Sequence, residues 1–212
     1  MSAFRKQNTL RLTQLSILTA IIVVLQCFGV VARLPFMAAE GNLSLIPIAI
    51  GAILLGPGAG LWLGLVSGAV TLIQGVMGIS PFTYGLFVLN PFLTAVLCLA
   101  KTGLAGLLSA YVYRLLSRWN QYVALFTAAI AVPIVNTGVF VLGCLMMLDT
   151  LTEVVVKLEW IAPGDNTVSF LFLGLAGLNF VLELGLSLVL TPAVERIVTT
   201  VQKLTGTKKR AH

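Results

Sequence analysis

The amino-acid sequence predicts an all-α membrane protein, a six-transmembrane-helix bundle with a short second helix and with the N- and C-termini cytoplasmic. Three observations carry this prediction: a very apolar composition, six apolar segments, and a one-sided distribution of lysine and arginine. Residues of the AVILMFWYC set make up 58% of the 212 residues, and charged residues make up 9%, where about 25% is usual in a soluble domain. This composition excludes a nucleic-acid-binding protein, despite the net charge of +6, and a disulfide-stapled secreted module.

The six predicted helices form a single transmembrane domain over residues 1–212. Each is judged against the roughly 20 apolar residues that a helix needs to cross the bilayer. The second helix falls short of this length, because Gly56-Pro57-Gly58 interrupts the apolar run that starts at Leu45. We expect it either to cross incompletely or to tilt against the third helix through a tight turn. The predicted helices cover about 10–31, 45–55, 59–77, 91–116, 122–148 and 170–198.

The basic residues predict the orientation, because Lys and Arg concentrate in the cytoplasmic loops of membrane proteins. In the six-span arrangement only Arg33 and Lys157 fall on the outer side, where the acidic residues gather. Both termini are therefore expected in the cytoplasm, with residues 203–212 as a basic cytoplasmic tail near anionic membrane lipid. The residues on the cytoplasmic side are Arg5, Lys6, Arg11, Arg114, Arg118, Arg196, Lys203, Lys208, Lys209 and Arg210.

Three longer loops, at about 32–44, 78–90 and 149–169, face outward in this arrangement. Long loops are often functional, so the outer face is the expected functional face. In the last of these loops, apolar residues recur at helical spacing from Val154 to Ile161. This pattern predicts a short interfacial helix with Trp160 at the headgroup level.

Two charged residues, Lys101 and Glu183, lie inside predicted spans. A charge at the bilayer centre costs about 2.5–3.5 kcal/mol even on the lenient insertion scale, so such residues normally face a cavity or each other. They therefore indicate either a substrate cavity or an ion pair that serves only packing. Amide side chains in or beside the spans favour a polar pocket; they are Gln26, Gln74, Asn90, Asn136 and Asn179.

Small residues at helical spacing form two candidate contact faces. Gly60, Gly64 and Gly68 lie four apart on the third helix, and such faces let helices approach closely in lipid. We interpret this row as close packing inside the bundle. Ser16 and Ala20 form a second small pair on the first helix, which serves either packing or the docking of a partner's helix.

The sequence contains no catalytic or nucleotide-binding motif: HExxH, GxSxG and a phosphate loop are all missing, and no cofactor or metal site is predicted. It also lacks the two matching halves expected of a self-sufficient secondary transporter. These features favour a binding subunit over a membrane-embedded enzyme or an assembly protein without a transported ligand, which remain the alternatives.

Several segments, taken together with the predicted topology, resemble the substrate-binding membrane subunit, or S component, of energy-coupling factor (ECF) vitamin transporters. Much of the resemblance lies in three features. They are the glycine-rich turn after the second helix, Asn90-Pro91 at the start of the fourth, and Asn136 and Asn179 in the fifth and sixth. The segments are residues 15–20, 46–60 with Gly64 and Gly68 following, 89–92, 133–140, and 179–183 leading to Pro192.

The resemblance implies a multi-pass protein of the bacterial cytoplasmic membrane that binds a vitamin with high affinity at its outer face. It also implies partners: a transmembrane coupling subunit and two ATPase subunits, which drive toppling of the S component and inward release. The family's docking face on helix one corresponds here to Ser16 and Ala20, where the family pattern has two alanines. An arginine of the family early in helix four corresponds here to Lys101.

The segments look most like the pantothenate-type members of the family, so a small anionic vitamin is the expected substrate. Lys101 inside the bundle and Arg33 at its mouth would suit a carboxylate, and the amides would suit hydroxyl and amide groups. Riboflavin is the alternative, with ring stacking on Phe82, Tyr84, Phe87 and Trp160. The expected substrate-binding residues are Lys101, Asn90, Asn136, Asn179, Glu183, Gln74 and Arg33.

Overall fold

The computed structural model describes residues 3–31 and 42–204, and within them the chain is built from helices and the turns that join them. A π-helical segment, Leu171–Gly177, lies between the last two α-helices. The α-helices are α1 (Ala3–Val31), α2 (Leu45–Leu55), α3 (Pro57–Val76), α4 (Pro81–Leu89), α5 (Pro91–Leu116), α6 (Gln121–Met146), α7 (Leu148–Lys157), α8 (Thr167–Phe170) and α9 (Leu178–Leu204).

The all-helical class predicted from the sequence is confirmed. The described residues contain five segments long and apolar enough to cross a membrane and one shorter apolar helix. The shorter helix is α2, whose 11 residues extend about 16 Å, half of a bilayer core of about 30 Å. A sixth crossing and the cytoplasmic placement of both termini therefore stay predictions. The five long segments are Asn8–Cys27, Pro57–Val76, Pro91–Leu116, Gln121–Met146 and Thr167–Val201.

Helix α2 is an interior helix. Most of its residues are buried, and it packs against α1, α3, α5, α6 and α9. An apolar helix that is enclosed by other helices on all sides needs no polar face. The chain then reverses at Gly56, whose φ of 95° suits glycine, and Pro57 starts α3 at a position where proline is tolerated.

The closest helix pair in the bundle is formed by α3 and α5. A methyl group added to Gly60, Gly64 or Gly68 would overlap the backbone of α5, at Gly106, Thr102 and Cys98 respectively. We call these three glycines and the facing stretch of α5 the glycine seam. The predicted role of the glycine row in close packing is confirmed, because the two backbones touch where side chains would normally separate them.

Two short helices lie in predicted outer loops. The segment expected to form a short helix near Trp160 contains α7, which ends at Lys157 and buries Leu151, Val154 and Val155. Its location at the membrane interface, with Trp160 at the headgroup level, stays a prediction. The 78–90 segment, expected from the sequence to be a loop only, contains α4 in the structure. Ser80 caps α4 by accepting a hydrogen bond from the backbone N–H of Thr83, and Pro81 occupies the first helical position.

Candidate functional site

The centre of the candidate site is Glu183 on α9, which is 2% exposed. Its carboxylate accepts a hydrogen bond from Asn179 Nδ2 at 2.9 Å and from Asn136 Nδ2 at 3.2 Å. The backbone of Asn42 also lies beside it. Two amide donors around one carboxylate offset part of the cost of removing this charge from water.

Irregular backbone accompanies both helices that supply these amides. Asn136 follows Pro133, which has no N–H to donate and therefore weakens the preceding turn of α6. Asn179 and Glu183 lie one turn apart on α9, immediately after the π-helical segment Leu171–Gly177. Proline turns and π-helical turns interrupt the regular hydrogen-bond ladder and are frequent at functional sites.

Lys101 reaches the same region from α5. It is half-buried, and its position ten residues after Pro91 places it about 15 Å along the helix. Its ammonium nitrogen lies 5.4 Å from the centroid of the Phe140 ring, a distance at which a cation is attracted to an aromatic face. We call Lys101, Asn136, Asn179 and Glu183 the polar cluster.

Lys101 and Glu183 are electrostatic neighbours, but they do not form an ion pair within the described part of the chain. The carboxylate is instead engaged by amides, and in that same part the Lys101 ammonium has no hydrogen-bond acceptor. The sequence allows either a Lys101–Glu183 ion pair that serves packing or a lysine that faces a substrate cavity. This geometry is closer to the second arrangement.

Three buried oxygen atoms in the same region have no hydrogen-bond partner among the described residues: Asn136 Oδ1, Asn179 Oδ1 and Thr137 Oγ1. Buried polar atoms are nearly always paired, because an unpaired one costs about 1–3 kcal/mol. A polar ligand could donate hydrogen bonds to these oxygens and accept one from the Lys101 ammonium. The polar cluster therefore has the chemistry of a binding site for a small molecule that carries both an anionic group and hydrogen-bond donors.

A second polar network lies between α1, α2 and α3. Gln26 Nε2 donates to Ser67 Oγ at 2.6 Å and to Ser44 Oγ at 3.2 Å, and Ser44 donates to Asn42 Oδ1. Gln74 is part of this network, since its Nε2 donates to the backbone oxygen of Gln26 at 3.2 Å. The backbone of Asn42 also lies beside the Glu183 carboxylate, so this network borders the polar cluster.

Two further predicted site residues have other positions. Asn90 caps the N-terminus of α5, where its Oδ1 accepts a hydrogen bond from the backbone N–H of Leu93 at 3.3 Å. Arg33 lies outside the described residues. The assignment of these two residues, and of the other five predicted residues, to the substrate site stays a prediction.

Phe140 and Thr137 belong to the site region but are not among the predicted site residues. Phe140 lies one turn after Asn136 on α6 and so shares its face, a spacing that could have indicated its place. Asn42 and Ser44 have no such signal, because they lie outside the predicted spans and only the tertiary fold brings them to this region.

The aromatic residues expected to stack on a riboflavin ring are partly engaged with one another. Phe82 and Trp160 are stacked, with ring centroids 5.7 Å apart and an interplanar angle of 15°. Phe82 also lies 6.2 Å from Phe140, and Trp160 lies 6.4 Å from Phe170. This aromatic row connects α4 to the polar cluster through Phe140.

The predicted docking pair lies on the exposed side of α1, at the surface of the helix bundle. Ser16 and Ala20 are exposed, and they line a shallow groove of about 380 Å³ between α1 and α3. We call it the α1 groove; it is lined by Leu12, Leu15, Ser16, Thr19, Ala20 and Trp62.

Comparison with known proteins agrees with this architecture. The family model described as the substrate-specific component of ECF transporters matches residues 10–195. No curated protein and no solved structure gives a match. The match covers all five long apolar segments almost completely, the short α2, and the whole polar cluster. The chain therefore belongs to the family of ECF transporter substrate-specific components, the membrane subunits that bind a small-molecule substrate and work with the partner subunits of an ECF module.

Proposed function

We propose that this S component captures a small, anionic, water-soluble vitamin from the outer side of a bacterial cytoplasmic membrane, with pantothenate as the first candidate. The observation that carries the proposal is the polar cluster. Among the described residues, it presents an unpaired ammonium group and unsatisfied amide oxygens inside a mostly apolar bundle. Pantothenate offers a carboxylate to Lys101 and hydroxyl and amide groups to Asn136 and Asn179.

Riboflavin is the second candidate, and the aromatic row argues against it. Phe82 and Trp160 would have to separate from each other before a flavin ring could stack between them. The direct test is mass spectrometry of small molecules that co-purify with the detergent-solubilised protein, followed by calorimetric titration with pantothenate and with riboflavin. Binding of riboflavin without binding of pantothenate would reverse the assignment.

The second part of the proposal concerns energy. The described residues and the full sequence contain no nucleotide-binding motif, so the ATP that drives release must be hydrolysed by partner subunits. In proteoliposomes, ATP-driven uptake of pantothenate is expected only after a transmembrane coupling subunit and two ATPase subunits have been added. ATP-dependent accumulation by the purified chain alone would contradict the proposal.

The third part assigns the α1 groove to the coupling subunit. Small side chains at Ser16 and Ala20 would let a partner helix approach α1 closely. Ala20→Leu should abolish co-purification with the coupling subunit and ATP-driven uptake, while pantothenate affinity stays within about twofold. Ala193→Leu is the matched control, because Ala193 is exposed on α9 and does not line the groove. Co-purification that survives Ala20→Leu would remove the groove from the interface.

A further inference from the structure

The hydrogen-bond directions in the polar cluster restrict the chemistry of the substrate, and Glu183 is the residue that imposes the restriction. A carboxylate accepts hydrogen bonds and does not donate them. Each amide that contacts it must therefore turn its NH2 group toward Glu183. The observed contacts follow this rule, with Nδ2 of Asn136 and Nδ2 of Asn179 facing the carboxylate oxygens.

An amide group is planar, so turning its NH2 group toward one neighbour fixes where its oxygen points. In both asparagines that oxygen is buried and has no partner in the part of the chain that the structure describes. Asn136 is itself 3% exposed, so bulk water does not satisfy its oxygen. The two oxygens are thus hydrogen-bond acceptors held in place by Glu183, and neither asparagine can turn around without bringing its oxygen against the carboxylate.

We infer that Glu183 is a positioning residue that makes Asn136 and Asn179 obligatory hydrogen-bond acceptors, so that the substrate must carry hydroxyl or N–H donors at one end and an anionic group for Lys101 at the other. The inference rests on the proposed function and adds the direction of the hydrogen bonds. It excludes small anions whose remaining polar groups only accept hydrogen bonds, such as ethers and ketones. Such groups would face two carbonyl oxygens with no proton between them.

The test uses three probes on the full-length protein in detergent: pantothenate, pantothenate methylated on both hydroxyl oxygens, and pantothenol, in which a neutral alcohol replaces the carboxylate. In the wild-type protein we expect the dimethyl ether and pantothenol each to bind at least about 10-fold more weakly than pantothenate, a loss of about 1.4 kcal/mol or more. The ether removes both hydroxyl donors, leaves one amide N–H for two asparagine oxygens, and keeps the anion. Pantothenol keeps every donor and removes the anion.

The variant Glu183→Gln tests the positioning role. A glutamine amide can donate to one asparagine oxygen and can let that asparagine reverse, so the site no longer demands donors from the substrate. We expect the affinity ratio of pantothenate to its dimethyl ether to fall at least about threefold, whereas the ratio of pantothenate to pantothenol changes less than twofold. A purely structural role for Glu183 would weaken all three probes together. Glu195→Gln, on the same helix and far along it, is the control and should change neither ratio.

The outcomes separate the inference from the proposed function. If pantothenate binds and the dimethyl ether binds equally well in the wild-type protein, the inference is overturned and the proposed function stands. If none of the probes binds, the pantothenate assignment fails and the inference falls with it. If Glu183→Gln does not fold, the wild-type ratios still decide the donor requirement, and Asn179→Ala, which removes one acceptor, should lower the ratio of pantothenate to its ether.

Discussion

The glycine seam and the polar cluster meet on α5 and are built in opposite ways. In the seam, regular helices without interior proline approach until their backbones touch, and the contact leaves no room for a side chain. In the polar cluster, the helices are interrupted by Pro133 and by a π-helical segment, and polar atoms are left without partners. One region is complete as it stands, and the other lacks hydrogen-bond partners that a ligand could supply.

The two regions share adjacent residues of α5. Thr102 faces α3 in the seam, and Lys101, about 100° around the helix, lies over Phe140 of α6. Close packing of α5 against α3 therefore fixes the position of the Lys101 backbone. Different faces of α5 therefore have different roles. Changes in the seam should affect folding, and changes in the polar cluster should affect ligand binding.

The largest expected effect follows from filling the seam. Gly64→Val places a branched side chain against the Thr102 backbone, and overpacking of this kind costs about 3 kcal/mol or more where backbone cannot yield. We expect loss of monodisperse protein in size-exclusion chromatography and a steep fall in melting temperature. Gly58→Val on the same helix is the control, because nothing lies within 4 Å of its added carbon. Equal damage from both variants would contradict the special role of the seam.

A smaller effect, confined to binding, is expected from Lys101→Met. The ammonium has no ion-pair partner in the described structure, so its removal should change the melting temperature little. Affinity for pantothenate should fall at least about 10-fold, equivalent to about 1.4 kcal/mol. Calorimetry and thermal unfolding measure the two quantities on one sample, with the exposed Lys157→Met as control.

Two results would contradict this prediction. A collapse in the stability of Lys101→Met would mean that the lysine mainly balances the Glu183 charge. Unchanged affinity in a well-folded variant would remove Lys101 from the site, and with it the main argument for an anionic substrate.

A still smaller effect on binding is expected from Phe140→Leu. This change removes the ring under the Lys101 ammonium, and a cation–π contact contributes about 0.5–2 kcal/mol. Pantothenate affinity should fall by about two- to tenfold, since the lysine side chain loses one of the contacts that orient it. Phe126→Leu, an exposed position on the same helix, is the matched control. No difference between the two variants would show that the ring does not orient Lys101.

The sequence predicted the seam more completely than it predicted the cluster. A row of glycines four apart indicates a helix contact directly, and Asn90-Pro91 marks the start of α5 because both residues have clear preferences at a helix start. The polar residues Lys101, Asn136, Asn179 and Glu183 could be selected by the cost of polar groups in an apolar span.

The hydrogen bonds among these residues could not be predicted. The π-helical segment has no local sequence signal, yet it sets the rotation of Asn179 and Glu183 on α9. Asn42 and Ser44 lie outside the predicted spans, and their place in this region depends on the tertiary fold. The short helix α4 could not be distinguished from a loop in the sequence. Its apolar segment is short, and an outer loop with aromatic residues can contain one of the same length.

The smallest expected effect tests whether shape or hydrogen bonding holds the seam together. Thr102 Oγ1 donates to the Gly64 backbone oxygen at 2.7 Å and to the Cys98 backbone oxygen at 3.2 Å. Both oxygens lie within α-helices, where carbonyl groups already accept backbone hydrogen bonds, so neither is left unsatisfied by Thr102→Val. Valine also keeps nearly the same shape.

Interhelical hydrogen bonds in membrane bundles contribute about 0.6 kcal/mol on average. The melting temperature of Thr102→Val should therefore fall by no more than that of Ser109→Ala, which loses the equivalent bond to Ala128. Damage as large as that of Gly64→Val would mean that the polar bond, and not the close approach of the two backbones, holds α3 against α5.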